Sequence, residues 1–224
     1  NKLKINWENY EPTLPSFYGP KTYTDIPIGI LKSYIDWTPF FKSWDLSGKF
    51  PKILENKIVG NVAQKLFEEA NEMLEHLEMN KIIQTKAVVG FWQCDQIEEN
   101  NIVVYKNNKI QTTFNFLRQQ KPQGLDRPNR CLSDLIAPKH SNKRDVIGAF
   151  AVTAGLGVEE ACKEYEKKND DYSSILIKAL ADRLAEALAE YMHEKVRKEL
   201  WGYSKTELFS KEELIKEKYL GIRP

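Results

Sequence analysis

The sequence of 224 residues has few cysteines and no strong excess of either charge. Its three cysteines are odd in number, far apart and without a Cys-x-x-Cys pair, so neither a disulfide framework nor a zinc site is indicated. This cysteine usage fits a reducing compartment, and we expect a cytoplasmic protein. A formal net charge of +1 provides no basic excess of the kind that nucleic acids or anionic membranes attract.

Long apolar runs and the common catalytic motifs are also missing. No run approaches the roughly 20 apolar residues that span a bilayer, and the start, NKLKINWENY, has no signal-peptide core. The motifs GxGxxG, GxxxxGK[ST], HExxH and GxSxG are absent, which removes support for the usual nucleotide, metalloprotease and serine-hydrolase functions. The three histidines are distant in sequence, so we assign no metal site and no catalytic residue. We expect neither a nucleic acid nor a membrane as partner.

The middle of the sequence is rich in β-forming residues. Strands are predicted at 87–92, 101–105, 109–116 and 145–155, and Asn107-Asn108 is a plausible tight turn between the second and the third. Helices and strands do not alternate as they do in a parallel βαβ sheet. The pattern therefore predicts the α+β class with an antiparallel sheet.

Helical periodicity occurs on both sides of these strands. Apolar residues from Val62 to Leu77 keep the 3.6-residue period of an amphipathic helix. Before it, Thr38 can cap a short helix with Pro39 at its first position. After the strands, helices are predicted over 157–168 and 171–200, and a capping box begins another at Ser210. The predicted cap of the long helix is Asp171, and its predicted stop is Gly202.

The long helix places three acids, Asp182, Glu186 and Glu190, four residues apart on one stripe. Like charges at this spacing oppose helix formation by a few tenths of a kcal/mol per pair, roughly. One explanation is a solvated face. Its balancing cations would be Lys178, Arg183 and Arg197. The other is that the carboxylates face a cationic ligand or a partner surface, and the residues alone leave both open.

Five blocks of the sequence, in a fixed order, resemble one family. They are YIDWTPFFKSWDLSGKFPKIL (34–54), CLSDLIAPK (131–139), IGAFAVTAGLG (147–157), DDYSSILIKALADRLAEALAEYMHEKVRKELWGY (170–203) and SKEELIKEKYLGIRP (210–224). The family that they resemble is the activation domain of cobalamin-dependent methionine synthase. The resemblance implies a single C-shaped α+β domain over 1–224, with a central antiparallel sheet and long flanking helices. It also implies that this domain is one module of a larger enzyme.

The resemblance implies a reactivation module that binds S-adenosylmethionine and serves methionine biosynthesis. When the cobalamin is oxidised to cob(II)alamin, the family restores methylcobalamin with a methyl group from S-adenosylmethionine and an electron from flavodoxin or a related reductase. Cobalamin and zinc are bound by other modules, and the cobalamin-binding module is the expected partner. The whole enzyme is a methyltransferase, but this module would not catalyse the full reaction alone. The alternative is an interaction module that docks the cobalamin module or flavodoxin without binding S-adenosylmethionine.

The resemblance also implies roles for individual residues. Asp36 and Arg223 match family positions that contact S-adenosylmethionine, and their charges suit its amino and carboxylate groups. Glu186 matches an acid at the ligand cleft, and Asp182 together with Glu186 matches acids at the interface with the cobalamin module. Glu190 has no assigned role.

Structural roles are the alternatives for two of these residues: Asp36 can cap or support a helix, and Arg223 can be a frayed terminal residue. After the match to Pro224 the family continues into a further portion with more ligand contacts. We therefore expect part of the site to lie outside this sequence.

Overall fold

The computed structural model describes residues 2–98, 100–121, 127–210, 213–214 and 218–220. The strands are β1 (Gly19–Thr24), β2 (Gln84–Ile97), β3 (Asn101–Lys106), β4 (Lys109–Asn115) and β5 (Asp145–Leu156). The helices are α1 (Ile28–Leu31), α2 (Trp37–Ser43), α3 (Gly60–Met79), α4 (Val158–Lys167) and α5 (Asp171–Lys195). Shorter turns are 3₁₀-helical at Lys32–Tyr34, Lys52–Glu55, Leu132–Leu135 and Lys139–Ser141, and π-helical at Val196–Leu200. None of the described helices is long and apolar enough to cross a bilayer.

The five strands form one sheet. β2 pairs with β1, β3 and β5, and β4 pairs with β3 at an edge. The β2–β3 and β3–β4 pairs are antiparallel, with Cys94 opposite Val104 in the first. Asn107 and Asn108 both have positive φ, 52° and 61°, as the tightest hairpin turns require. The predicted α+β class and antiparallel sheet are confirmed, although β2 is longer than the predicted strand 87–92.

The chain forms two compact units. The first contains Asn1–Lys21, Val89–Phe150 and Val196–Leu220, and the second contains Thr22–Val88 and Ala151–Lys195. The first unit contains a cluster of buried apolar side chains. Its members are Cys94, Ile102 and Val104, with Trp92, Phe116, Ile136 and Ile147 packed against them. All three cysteines of the chain are free and buried, which confirms their interpretation as small apolar side chains.

Two buried acids hold segments of the first unit together. One oxygen of Asp145 accepts a hydrogen bond from the Tyr10 hydroxyl at 2.9 Å, and the other accepts one from the Ala137 amide at 3.0 Å. The two oxygens of Asp134 accept hydrogen bonds from the Arg118 guanidinium at 2.6 and 2.7 Å. Burial acts to raise the pKa of Asp134, but the hydrogen bonds from Arg118 and the backbone outweigh it and lower that pKa below its ordinary value.

The second unit is built around α3 and α5. Five aromatic rings between residues 37 and 67 pack together, and the centroids of neighbouring rings are 4.9 to 6.4 Å apart. They belong to Trp37, Phe40, Phe41, Phe50 and Phe67. α3 buries Ala63, Leu66, Ala70, Leu74 and Leu77. Val62, which the periodicity assigned to this apolar face, is 59% exposed because Ala63 takes the buried position.

α5 begins at Asp171, but its capping residue is the one before. The Asp170 carboxylate accepts a hydrogen bond from the Ser173 amide at 3.0 Å, which is the bond of an N-cap to the third residue of its helix. The prediction that Asp171 caps this helix is therefore wrong. Gly202, with φ of 75°, follows the π-helical turn and confirms the predicted stop. Ser210 and Glu213 form the predicted capping box through reciprocal bonds of 3.1 and 3.3 Å.

Candidate functional site

The acidic stripe lies on the solvent side of α5. Asp182 and Glu186 are exposed, and Glu190 is half-buried. The opposite face of the helix is buried in the second unit. Its core residues are Leu176, Ile177, Leu180, Leu184, Leu188 and Met192. The stripe is thus available to a ligand or a partner, and its role stays a prediction.

One of the three expected balancing cations, Arg183, pairs with the stripe. Arg183 binds the neighbouring Asp182 carboxylate at 2.5 and 3.2 Å. Lys178 lies 3.5 Å from Glu166 instead. Arg197 is buried and paired with Glu207, so its assignment to a solvated charge balance is wrong.

The family resemblance singles out Asp182 and Glu186, and of these two acids Glu186 has the less neighbouring positive charge. Within the described part of the chain it has no hydrogen-bonding or ionic partner. A carboxylate in this setting keeps its full hydration and can exchange that water for a cationic group at modest cost. A residue that binds a cationic ligand needs such an unpaired carboxylate. The Asp182 carboxylate, by contrast, is already paired with Arg183.

Asp36 caps α2. Its carboxylate accepts a hydrogen bond from the Thr38 amide at 2.9 Å, and α2 begins at Trp37. The prediction that Thr38 caps this helix with Pro39 at its first position is therefore wrong. The Thr38 hydroxyl is instead an acceptor for the Phe50 amide at 3.3 Å. Asp36 is exposed, and its second oxygen has no partner among the described residues, so capping uses only part of the carboxylate.

The segment that leads into Asp36 is fixed to α5 within the second unit. The Tyr34 hydroxyl donates to the Glu194 carboxylate at 2.8 Å, and the Tyr34 and Tyr191 rings meet edge-to-face at 5.5 Å. Glu186 precedes Glu194 by eight residues on the same helix, or about 12 Å along its axis. Sequence reasoning missed Tyr34 and Glu194, because no local pattern links residues that are 160 positions apart.

Arg223, the third residue expected at the ligand, lies outside the described residues. Its proposed contact therefore rests on the sequence resemblance alone.

A separate cavity of about 910 Å³ in the second unit lies between the end of α3 and the start of α4. Its lining includes His76, Lys81, Glu160 and Tyr165, but none of the predicted site residues. Among the described residues, no three histidine, cysteine or acidic side chains are grouped as a metal site would need. The candidate site is therefore the outer face of α5 and the capped start of α2.

Comparison with known proteins identifies the family. Residues 27–224 match the family model described as vitamin B12 dependent methionine synthase, activation domain. The fold is similar to a solved structure described as the crystal structure of the MetH reactivation domain bound to AdoHcy, with a TM-score of 0.94 and 44% sequence identity. That similarity covers 100% of this chain and 69% of the other. The chain therefore belongs to the activation-domain family of vitamin B12-dependent methionine synthase.

Proposed function

We propose that this chain binds S-adenosylmethionine and serves as the reactivation module of a cobalamin-dependent methionine synthase. The observation that carries the proposal is the 44% identity to a MetH reactivation domain whose structure is described as bound to AdoHcy. AdoHcy is what remains of S-adenosylmethionine after its methyl group is transferred. A relative that holds this product supports a site for the methyl donor in the present chain.

The residues of the candidate site fit such a ligand. S-adenosylmethionine carries a sulfonium, whose methyl group is the one transferred, together with an amino group and a carboxylate. The free oxygen of Asp36 and the unpaired carboxylate of Glu186 suit the cationic groups, and Arg223 suits the carboxylate. Charge-assisted hydrogen bonds of this kind are roughly twice as strong as neutral ones.

The work of the module in this proposal is binding and orientation. Methyl transfer between two bound partners gains most from the geometry in which they are held, so no acid, base or nucleophile of this chain is required. The family belongs to a methyltransferase. This module supplies the methyl donor, and it does not catalyse homocysteine methylation by itself.

The partner of the module is the cobalamin-binding module of the same enzyme, and flavodoxin or a related reductase supplies the electron. Asp182 and Glu186 form the docking surface for the cobalamin module, because both are exposed on one turn of α5. Complementary charge on the cobalamin module would raise the association rate and fix the orientation in which that module docks. Glu186 serves both the ligand and the interface in this proposal.

Calorimetric titration of the chain with S-adenosylmethionine and with AdoHcy tests the binding proposal. The parent should release or absorb heat with a stoichiometry near one, and Glu186→Gln should bind more weakly. Glu72→Gln is the matched control, because Glu72 is an exposed acid on α3 of the same unit and is not part of the site. If the unsubstituted chain binds neither ligand but still docks the cobalamin module normally, the alternative of an interaction module that does not bind S-adenosylmethionine is favoured.

A further inference from the structure

A fourth acid, Glu194, continues the spacing of the acidic stripe on α5. It follows Glu190 by four residues, as Glu190 follows Glu186. Exposure falls along this series: Glu186 is exposed, whereas Glu190 and Glu194 are half-buried. Glu194 therefore lies where the spacing of the stripe reaches the packed part of the second unit.

Tyr34 is fixed to α5 by both ends of its side chain. Its hydroxyl donates to a Glu194 carboxylate oxygen at 2.8 Å, and its ring meets the Tyr191 ring edge-to-face at 5.5 Å. Tyr34 and Glu194 are both half-buried, so water competes less for this hydrogen bond than it would on an open surface. A hydrogen bond that a carboxylate accepts is also stronger than one between neutral groups.

Asp36 follows Tyr34 by two residues, on a backbone that the core holds on both sides. Ile35 is 3% exposed and Trp37 is 5% exposed. Ile35 and Asp36 are extended, with ψ of 124° and 105°, and successive side chains of an extended chain point to opposite sides. The Asp36 carboxylate therefore points away from the core that holds its neighbours.

Both elements that flank Asp36 pack on α5. The 3₁₀ turn Lys32–Tyr34 and α2 contact this helix within the second unit. Two residues of extended chain span at most about 7 Å, so the bond of Tyr34 to Glu194 limits the distance of Asp36 from α5. Glu186 lies on the same helix as Glu194, so one tether sets the position of Asp36 relative to both acids.

We propose that Tyr34 and Glu194 are positioning residues for S-adenosylmethionine, because their hydrogen bond holds Asp36 in register with Glu186. The inference rests on the proposed function, in which Asp36 and Glu186 contact the ligand. Acids that are already held in place lose less conformational entropy when they bind. Tyr34 and Glu194 themselves need not touch the ligand.

Tyr34→Phe tests the tether, because phenylalanine keeps the ring on Tyr191 and lacks only the hydroxyl. We expect the Kd for S-adenosylmethionine, measured by calorimetry, to rise roughly three- to tenfold. A residue with only a structural role would lower the melting temperature and leave this Kd unchanged.

Tyr172→Phe is the matched control. The Tyr172 hydroxyl also donates to a carboxylate, that of Glu69, and so joins α5 to α3 in the same unit. Phenylalanine keeps the ring that contacts Trp44. This substitution should lower the melting temperature comparably and leave the Kd within about twofold, because it leaves the tether of Asp36 intact.

Substitution of Glu194 tests the same bond from its other end. Glu194→Gln keeps an oxygen that can accept the Tyr34 hydrogen bond, whereas Glu194→Leu does not. Glu194→Leu should raise the Kd as Tyr34→Phe does, and Glu194→Gln should leave it within about twofold. An equal loss in both variants would mean that the charge of Glu194 matters and the bond does not, which overturns the inference. This pair of variants also serves if Tyr34→Phe does not fold.

The discriminating measurement repeats Tyr34→Phe in an Asp36→Asn background. If Tyr34 acts through Asp36, it should change the Kd there by less than about twofold, since the effects of coupled residues are not additive. A full effect in that background, an unchanged Kd in Tyr34→Phe, or an equal rise in Tyr172→Phe overturns the inference and leaves the proposed function standing. Absence of binding by the unsubstituted chain would refute the proposed function, and the inference with it.

Discussion

Substitution of Asp36 can separate ligand binding from helix capping. Asn is as good an N-cap as Asp, so Asp36→Asn should keep the hydrogen bond to the Thr38 amide and change the free energy of unfolding by only a few tenths of a kcal/mol, roughly. It removes the negative charge, however. A hydrogen bond to a charged group contributes about 1.5 to 3 kcal/mol, which corresponds to a rise in the Kd for S-adenosylmethionine of roughly 10- to 140-fold.

Asp36→Ala is the comparison, because it removes both the charge and the cap. The lost cap should cost about 1 kcal/mol, or roughly 2 to 4 °C in melting temperature for a chain of this size. The assay is calorimetric titration with S-adenosylmethionine beside thermal unfolding for the parent and both variants. Both variants should bind weakly, and only Asp36→Ala should melt early. Parent-like affinity in Asp36→Asn, with a lowered melting point in Asp36→Ala, would refute the reasoning and leave Asp36 as a cap alone.

Three further predictions concern the rest of the chain. In the full enzyme, the double substitution Asp182→Asn and Glu186→Gln should change the free energy of unfolding by no more than about 0.5 kcal/mol. It should slow reactivation and weaken the salt dependence of the reactivation rate, while the primary turnover stays intact. Equal reactivation rates in the mutant and the unsubstituted enzyme would contradict this. Tyr10→Phe should lower the free energy of unfolding by about 1 kcal/mol in urea titration, because it leaves Asp145 without one buried donor; an unchanged midpoint would count against that bond. The pKa of Asp134 is lowered in the folded chain, so as pH falls below about 4 the unfolded chain takes up the proton first. The stability that ionised Asp134 contributes is therefore present above that pH and is lost as pH falls through the folded pKa. Asp134→Asn should reduce the dependence of unfolding free energy on pH in this acid range, measured by urea titration.

Local patterns predicted the elements of this fold well and their caps less well. The strand periodicity and the Asn107-Asn108 turn located the β3–β4 hairpin, because side-chain alternation and turn chemistry are local properties. At the start of α2, however, Asp36 and Thr38 are both competent caps. Tertiary contact decides between them, since the Thr38 hydroxyl is taken by the Phe50 amide twelve residues away.

The candidate site depends on contacts that no local pattern contains. The bond of Tyr34 to Glu194 joins positions 160 residues apart. Arg197 is buried and paired with Glu207, so it does not have the charge-balancing role that spacing alone suggested. The roles proposed for Asp36 and Glu186 came from resemblance to a family, because an exposed acid on a helix has the same sequence pattern whether it binds a ligand or only water.

The arrangement of α5 allows its acids to take the proposed binding role without a large cost to the fold. Leu180, Leu184 and Leu188 repeat every four residues on the buried face, and the acids repeat every four residues with an offset of two. Two residues turn a helix by about 200°, so the carboxylates emerge on the side opposite the leucines. The core contacts of the helix are then independent of the chemistry on its outer face. Repulsion along the stripe costs only a few tenths of a kcal/mol, roughly, whereas one buried leucine contributes about ten times more. The helix can therefore hold the unpaired carboxylate of Glu186 on its outer face, where the proposed cationic ligand or partner would neutralise it.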